Sequence, residues 1–463
     1  MTMLHEDLTA LAERAPTSIN DADLWHRGRR RMIAQRVGAT VVATATVLVL
    51  ALIGVGGFLA PSTPEPIAPR GEPVMPDHFH NAGKWLPGTD RAGWHGPLIA
   101  AWSTSRGGWL RSRPGIVGVS AVTGEYRFLD LPGRAVGPTV RDADFALSPE
   151  GGRVAYWTSG EPRVYVDEPD WVTVTGYAVV STLDGRTLAT EEFETEVGLA
   201  PEAMTWADEQ TLIFEFAQLV IPDDDRLGRL GCCSTDREVM RRDLDSPVAQ
   251  ALPAGVSNSF WHRGNGRGQL IWTQGGADDS FRIAEPITDT VTSLGPSSLS
   301  SNSPWALSPN GTRAASTWGG PRGSLGGIPP VIVAELGEGE SPARRVPGQW
   351  GDRYGHVLGW FDDEHVAFMD LWGGPFRDND GSSPSELQRI HIDTGEVTRV
   401  IRMEQGGPGA AQFALGLLDA PLHEATAPPR PWGPRVSATL GAVGLVGLIG
   451  LLWLVRWRRR GRG

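Results

Sequence analysis

The sequence predicts an all-β fold, a six-bladed β-propeller with four-stranded blades, flanked by two transmembrane α-helices. Three observations carry this expectation. Two long apolar stretches near the ends hold no charge, a repeat of roughly 50 residues runs between them, and apolar residues alternate between Gly-rich turns inside each repeat.

The first apolar stretch, 37–60, reads VGATVVATATVLVLALIGVGGFLA, and the second, 436–455, reads VSATLGAVGLVGLIGLLWLV. About 20 apolar residues suffice for a helix to cross a hydrocarbon core, and glycine is tolerated there. Arg27, Arg29, Arg30, Arg31 and Arg36 precede the first stretch. Arg456, Arg458, Arg459, Arg460 and Arg462 follow the second. Basic residues are retained on the cytoplasmic side, so both termini are expected inside a cell membrane and the intervening segment outside. Trp432, Trp453 and Trp457 stand where interfacial aromatics belong. The first run exceeds the ~7–15 residues of a signal-peptide core and follows a long N-terminal arm, which favours an uncleaved anchor.

Charge divides by compartment. The chain carries −12 in total; residues 1–36 hold +1 and the tail from Arg456 holds +5, leaving −18 between them. An acidic outer segment argues against nucleic acid or anionic lipid as its ligand. The only cysteines, Cys232 and Cys233, are adjacent, so no framework of spaced disulfides exists.

These features divide the chain into a cytoplasmic arm (1–36), a first span (37–60), a Pro-rich linker (61–77), an extracytoplasmic propeller (78–420), a second Pro-rich linker (421–435), a second span (436–455) and a basic tail (456–463). Within the propeller, DFALSPEGGRVAYW and SPWALSPNGTRAASTW are the clearest pair of repeats. Each has a short strand, a Ser-Pro-x-Gly turn and a second strand. Ser148, Pro149 and Gly151 form the first turn, and Ser308, Pro309 and Gly311 the second. Proline presets φ for such a turn and glycine supplies a positive φ. Weaker copies put turns near 95, 207, 262 and 361. Third strands follow in GIVGVSAV, GYAVVSTL, PVIVAEL and LQRIHID, and fourth strands in YRFLDL, TLATEEF and VTRVIRM. The late segment AQFALGLLD matches the opening strand of the second repeat. It is therefore expected to supply the innermost strand of the first blade and to close the ring, removing open edges.

LSPEGGRVAY and LSPNGTRAAS resemble the WD40-like propeller repeat of TolB-type periplasmic proteins, whose signature reads x-SPDG-x-x-(I/V)-A-(Y/F). The resemblance implies a propeller used chiefly as a binding platform. The pattern LTALAERAPTSINDADLWHRGRRRM before a span is similar to membrane proteins common in actinomycetes, some of them encoded near alternative sigma factors.

No nucleophile elbow, zinc-protease helix, Walker loop or Rossmann fingerprint occurs, so no catalytic residue and no cofactor is expected and the chain is read as a non-enzyme. His78 and His80 would face one side of a strand and could share a metal, although a solvated pair is the plainer reading. Asp378-Asn379-Asp380 faintly resembles a calcium loop without the EF-hand spacing, and Asp223–Asp225 reads as an exposed acidic loop. His262, His356, His365 and His391 are assigned to different repeats. Trp102, Trp157, Trp272, Trp318 and Trp372 read as blade-to-blade packing, with a sugar-stacking platform as the sharper alternative.

The leading functional expectation is a membrane-anchored module that binds a protein, peptide or glycan outside the cell, in envelope sensing. The lipid bilayer is its standing partner and nucleic acid is not one. A regulator whose arm (Leu8, Leu11 and Trp25) holds a cytoplasmic sigma-type factor is the first alternative. A propeller-based hydrolase is the second.

Overall fold

The structure, a computed structural model, describes residues 71–109, 111–137, 145–163, 172–220, 237–252, 263–273, 280–285, 290–296, 305–317, 331–337, 342–348, 355–370, 385–404 and 411–430, and single positions elsewhere. The chain divides into two compact units: Met1–Ser62 with Trp432–Gly463, and Thr63–Pro431. The stretch 37–60 lies outside the described residues, and 436–455 is described only at scattered helical positions. Among the described residues no helix is long and apolar enough to cross a membrane.

The larger unit is built from antiparallel meanders. The first holds strands Leu98–Arg106, Arg113–Ser120 and Tyr126–Phe128. The second holds Phe145–Leu147, Arg153–Ser159, Val174–Ser181 and Thr187–Glu192. Leu199–Trp206, Thr211–Gln218, Glu238–Asp243 and Gln250–Ala251 make the third. Arg263–Gly264, Leu270–Thr273, Ser280–Glu285 and Thr290–Pro296 make the fourth. The fifth is Ala306–Leu307, Arg313–Thr317, Val331–Glu335 and Ala343–Arg345. The sixth is Gly355–Trp360, His365–Asp370, Glu386–His391 and Val397–Met403. A single pair, Leu199↔Val174, joins the second and third into one eight-stranded sheet.

Burial explains why these segments are strands. Residues 174–181, VTGYAVVS, are buried at every position, as a strand covered on both faces must be. The outlying strand Thr187–Glu192 is mostly polar and exposed at three of its six positions. Apolar clusters lie between successive sheets. Leu98 and Ile116 meet Phe145 and Tyr156, and Trp157 and Tyr177 meet Phe214 and Phe216. Ile213 meets Leu270, Phe281 meets Ile332, and Val333 meets Val357 and Phe368. The last cluster joins Ala367, Met369 and Ile401 of the sixth meander to Val117, Val119 and Trp102 of the first. The succession of sheets therefore returns on itself, which is a propeller arrangement.

The C-terminal segment completes the first sheet. Gln412–Phe413 pairs antiparallel with the first strand, with Phe413 opposite Ala100 and Gln412 opposite Ala101. This is the closing strand that AQFALGLLD foretold.

The Pro-rich linkers differ from the expectation of free spacers, because their inner ends are built into the fold. Met75–Pro76 pairs in parallel with Leu422–His423, and His78–Phe79 in parallel with Arg402–Met403. Pro76 fits because the donors to the partner are its neighbours: the Met75 N–H reaches the Pro421 oxygen and the Asp77 N–H the His423 oxygen, each at 2.9 Å. The two linkers do run side by side. They run in the same direction, however, so the chain joins this ribbon at one end and departs from the other.

Candidate functional site

The repeated Ser-Pro-x-Gly turns tie neighbouring sheets together. Ser148 Oγ accepts the Arg153 N–H at 3.0 Å and donates to Glu209 Oε1 at 2.8 Å. The Glu150 N–H donates to the other oxygen of Glu209 at 3.0 Å. Glu209 belongs to the first turn of the next sheet. The fifth and sixth meanders repeat the plan. Ser308 Oγ accepts the Arg313 N–H at 3.0 Å, the Asn310 N–H donates to Asp363 Oδ1 at 3.0 Å, and Arg313 Nη1 donates to the Asp363 carbonyl at 3.0 Å. Gly151 and Gly311 hold φ of 69° and 75°, and the Pro149 carbonyl accepts the Gly416 N–H at 2.8 Å. Both serine hydroxyls are engaged in these clips, an arrangement that holds turns in place.

A second tie was not legible in the tryptophan pattern chosen from the sequence. Trp206 Nε1 donates to the Ala146 carbonyl at 3.2 Å, and Trp360 Nε1 to the Ala306 carbonyl at 2.9 Å. Each links the first strand of one sheet to the first strand of the sheet before it. Trp102 and Trp157 are 4% and 1% exposed. Trp102 packs edge-on to Tyr126 at 5.9 Å and Trp157 edge-on to Phe214 at 5.8 Å. Their faces are buried, so these two offer no sugar platform. Trp318 and Trp372 lie outside the described residues, as does the side chain of Trp272.

Among the described residues, a group of candidate metal ligands lies at the seam between the first and sixth meanders. His78 and His80 sit two apart on the incoming segment. The parallel pairing His78↔Arg402 and Phe79↔Met403 carries Glu404 alongside them. His80 Nδ1 is 3.0 Å from Glu404 Oε1, and the Asn81 N–H donates to Glu404 Oε2 at 2.8 Å. The two imidazole centroids are 4.4 Å apart. The His80 N–H donates to the Tyr126 hydroxyl at 3.0 Å. Donor atoms from His78, His80 and Glu404 all lie within 4.8 Å of one another, a set able to hold a metal ion. The Asn81 N–H bond, with the His80 bond next, holds the Glu404 carboxyl below its usual range; burial, followed by the neighbouring His80, lowers His78. The sequence offered the two histidines but gave no sign of Glu404, 324 residues beyond His80.

His356, His365 and His391 all belong to the sixth meander, contrary to their assignment to different repeats. His365 stands opposite His391 in register, their rings 4.9 Å apart, and pairs with Asp362 at 2.8 Å. His262, Cys232, Cys233, Asp223–Asp225 and Asp378–Asp380 lie outside the described residues. So do Arg27, Arg30, Arg31, Arg36, Arg458, Arg459, Arg460 and Arg462, while Arg29 and Arg456 are single helical positions.

Two buried titratable groups give the fold an internal pH balance. Burial raises Glu215 to about 7, against the pull of Arg237, whose guanidinium is 3.8 Å away. Burial, followed by the charge of Arg127, lowers His95 to about 4. His95 Nδ1 has no hydrogen-bond partner among the described residues. The signs oppose. As pH rises from about 4.5 to about 7 the unfolded chain releases the Glu215 proton while the fold keeps it, so stability falls. As pH rises from about 4 to about 6.5 the unfolded chain releases a His95 proton that the fold never bound, so stability rises. Each effect is on the order of 2–3 kcal/mol for a group wholly out of water, and in the native chain they largely cancel. Glu215→Gln removes the falling term, so its urea midpoint is expected to gain on that of the native chain as pH rises from about 4.5 to about 7. A difference between the two midpoints that stays constant across that range would overturn the assignment.

No protein-family model matches the chain. No curated protein matches it either. Among solved structures it is similar to TolB from Acinetobacter baumannii, at 13% identity and a TM-score of 0.38, covering 70% of this chain and 69% of that one. A chain of a nidogen/laminin complex gives 10% and 0.38, covering 68% of this chain and 98% of that one. Oligogalacturonate lyase from Vibrio parahaemolyticus gives 10% and 0.38, covering 73% of this chain and 80% of that one. At these values the likeness carries nothing about activity or ligand, and the propeller assignment rests on the strand pairing above. The expectation of a non-enzyme is withdrawn, since a lyase and a puromycin-hydrolyzing peptidase stand among the similar chains beside TolB and nidogen, and the shared fold decides neither way. Absence of a short motif excludes no activity, because one fold hosts many functions and function lives in the site.

Proposed function

We propose that the chain is a six-bladed propeller tethered to the cell membrane at both ends, presenting an extracytoplasmic binding surface to a protein, peptide or glycan. The side-by-side pairing of Met75–Pro76 with Leu422–His423 carries this reading, because it gathers both linkers along one seam of the ring. Six four-stranded meanders with shared clusters support the blade number. The charge-free stretches 37–60 and 436–455, with arginines on their outer flanks, support the tethers and an inward placement of both termini. Val446 and Leu452, in the second stretch, are 63% and 60% exposed, as lipid-facing side chains are.

Photo-crosslinking amino acids placed singly in the full-length protein, in its own membrane, test the proposal. Adducts are expected from exposed propeller positions such as Leu183 and Val248, and none from Leu8 or Leu11 of the arm. Adducts confined to the arm would replace the binding platform by a regulator of a cytoplasmic factor.

A further inference from the structure

We propose that His78, His80 and Glu404 form a binding site for a divalent transition cation of the zinc class, which pins the incoming segment to the last sheet of the propeller. Residues two apart on an extended segment face one side, so both imidazoles project together. The parallel pairing of His78–Phe79 with Arg402–Met403 then delivers a carboxylate to the same place. The three donors fall within 4.8 Å of one another, where a zinc ion with ligands at ~2.0–2.2 Å holds its donors about 3.3 Å apart. The side chains must therefore rotate to draw the donors together when the ion binds.

An ion pair accounts for His80 and Glu404 at 3.0 Å. It does not account for His78, whose ring lies 4.4 Å from that of His80. Two protonated imidazoles at that spacing repel, whereas two neutral ones share a cation. The backbone is already fixed around them. Asn81 donates to Glu404 Oε2, Tyr126 accepts from the His80 N–H, and the Glu404 N–H donates to the Phe79 carbonyl at 2.9 Å. Oε2 is thus engaged, and it also lies 3.7 Å from Arg430 Nη2. Oε1 is the oxygen turned to the His80 imidazole.

Two nitrogens and one carboxylate oxygen suit Zn²⁺ and its neighbours, whereas Ca²⁺ and Mg²⁺ require oxygen donors throughout. Three protein ligands leave a fourth position for water. The ion would join segments 324 residues apart. The unfolded chain cannot assemble these ligands, so binding stabilises the fold.

The full-length protein in detergent, made without a histidine tag and freed of metal by chelation, is titrated with Zn²⁺ by calorimetry and with Co²⁺ by visible absorption. One saturable equivalent per chain is expected, with a rise in Tm of roughly 3–6 °C at a hundredfold excess over Kd. His78→Gln leaves the His80–Glu404 pair intact and should keep the metal-free Tm. It should weaken Zn²⁺ binding at least tenfold and cancel the rise, and Glu404→Gln should weaken binding likewise. His365→Gln, at the histidine pair of the sixth meander, should leave Zn²⁺ binding unchanged. No saturable binding by the native chain, native affinity in His78→Gln, or an equal rise in Tm with Ca²⁺ would each overturn the site.

Discussion

Replacing Phe413 by alanine is expected to destabilise the propeller by about 3–5 kcal/mol, the cost of a large apolar side chain removed from a core that cannot collapse around the gap. Phe413 is 5% exposed and lies 6.0 Å from Phe79, in the cluster that joins the first and last meanders. Its strand is two residues long, and the adjoining Ala414 N–H bond to the Ile99 oxygen at 3.0 Å helps to hold it. Side-chain burial therefore carries most of the closure. A domain is stable by only about 5–15 kcal/mol, so the loss takes a large share. Urea unfolding measures it, and hydrogen exchange should show the Ala414 amide, bonded across the seam to Ile99, opening first. A cost below about 1 kcal/mol would mean that this strand does not hold the ring shut.

A glycine pair gives the second large effect with its own control. Gly151 and Gly124 have nearly the same backbone, with φ of 69° and 68°. A methyl group on Gly124 would have nothing within 4 Å, whereas on Gly151 it would stand 1.9 Å from the Leu98 carbonyl oxygen. Gly151 also accepts the Leu98 N–H at 2.9 Å and the Thr182 hydroxyl at 2.8 Å, so neither side can withdraw cheaply. Gly124→Ala should cost about 1–2 kcal/mol, the price of a left-handed residue alone. Gly151→Ala should cost roughly 3 kcal/mol or more, since overpacking adds its own penalty. Equal urea midpoints for the two variants would refute the close approach at Gly151.

Much of the sheet order was legible because the repeat writes the same physics several times. Strands such as Val174–Ser181 and Val397–Met403 fall where alternation and glycine turns placed them. The strand Gln412–Phe413 was legible because FALGLL copies FALSPE. Strands of the third and fourth meanders, Glu238–Asp243 and Ser280–Glu285, were not singled out. EVMRRD carries two arginines and little alternation, and its β conformation comes from its neighbour Thr211–Gln218. The opening turn of the fourth meander likewise falls at Asn265–Gly268, just after the expected 262.

The candidate site was half legible for a plain reason. His78 and His80 are neighbours in sequence and could be read as a pair. Glu404 joins them only through a parallel pairing between the two ends of the domain, and no local pattern encodes which distant strand a segment will choose. The clips at Glu209 and Asp363 were hidden in the same way, each lying one sheet away from the serine turn it holds.

The shared direction of Met75–Pro76 and Leu422–His423 has a mechanical consequence. Tension drawing the two ends of the domain apart pulls the incoming strand backwards and the departing strand forwards. The load then lies along both strands in opposite senses and acts to slide them past each other. Antiparallel partners pulled from one end would open bond by bond. Here the hydrogen bonds of Met75 and Asp77 bear the force at the same time, and the seam resists as a lap joint does, in shear.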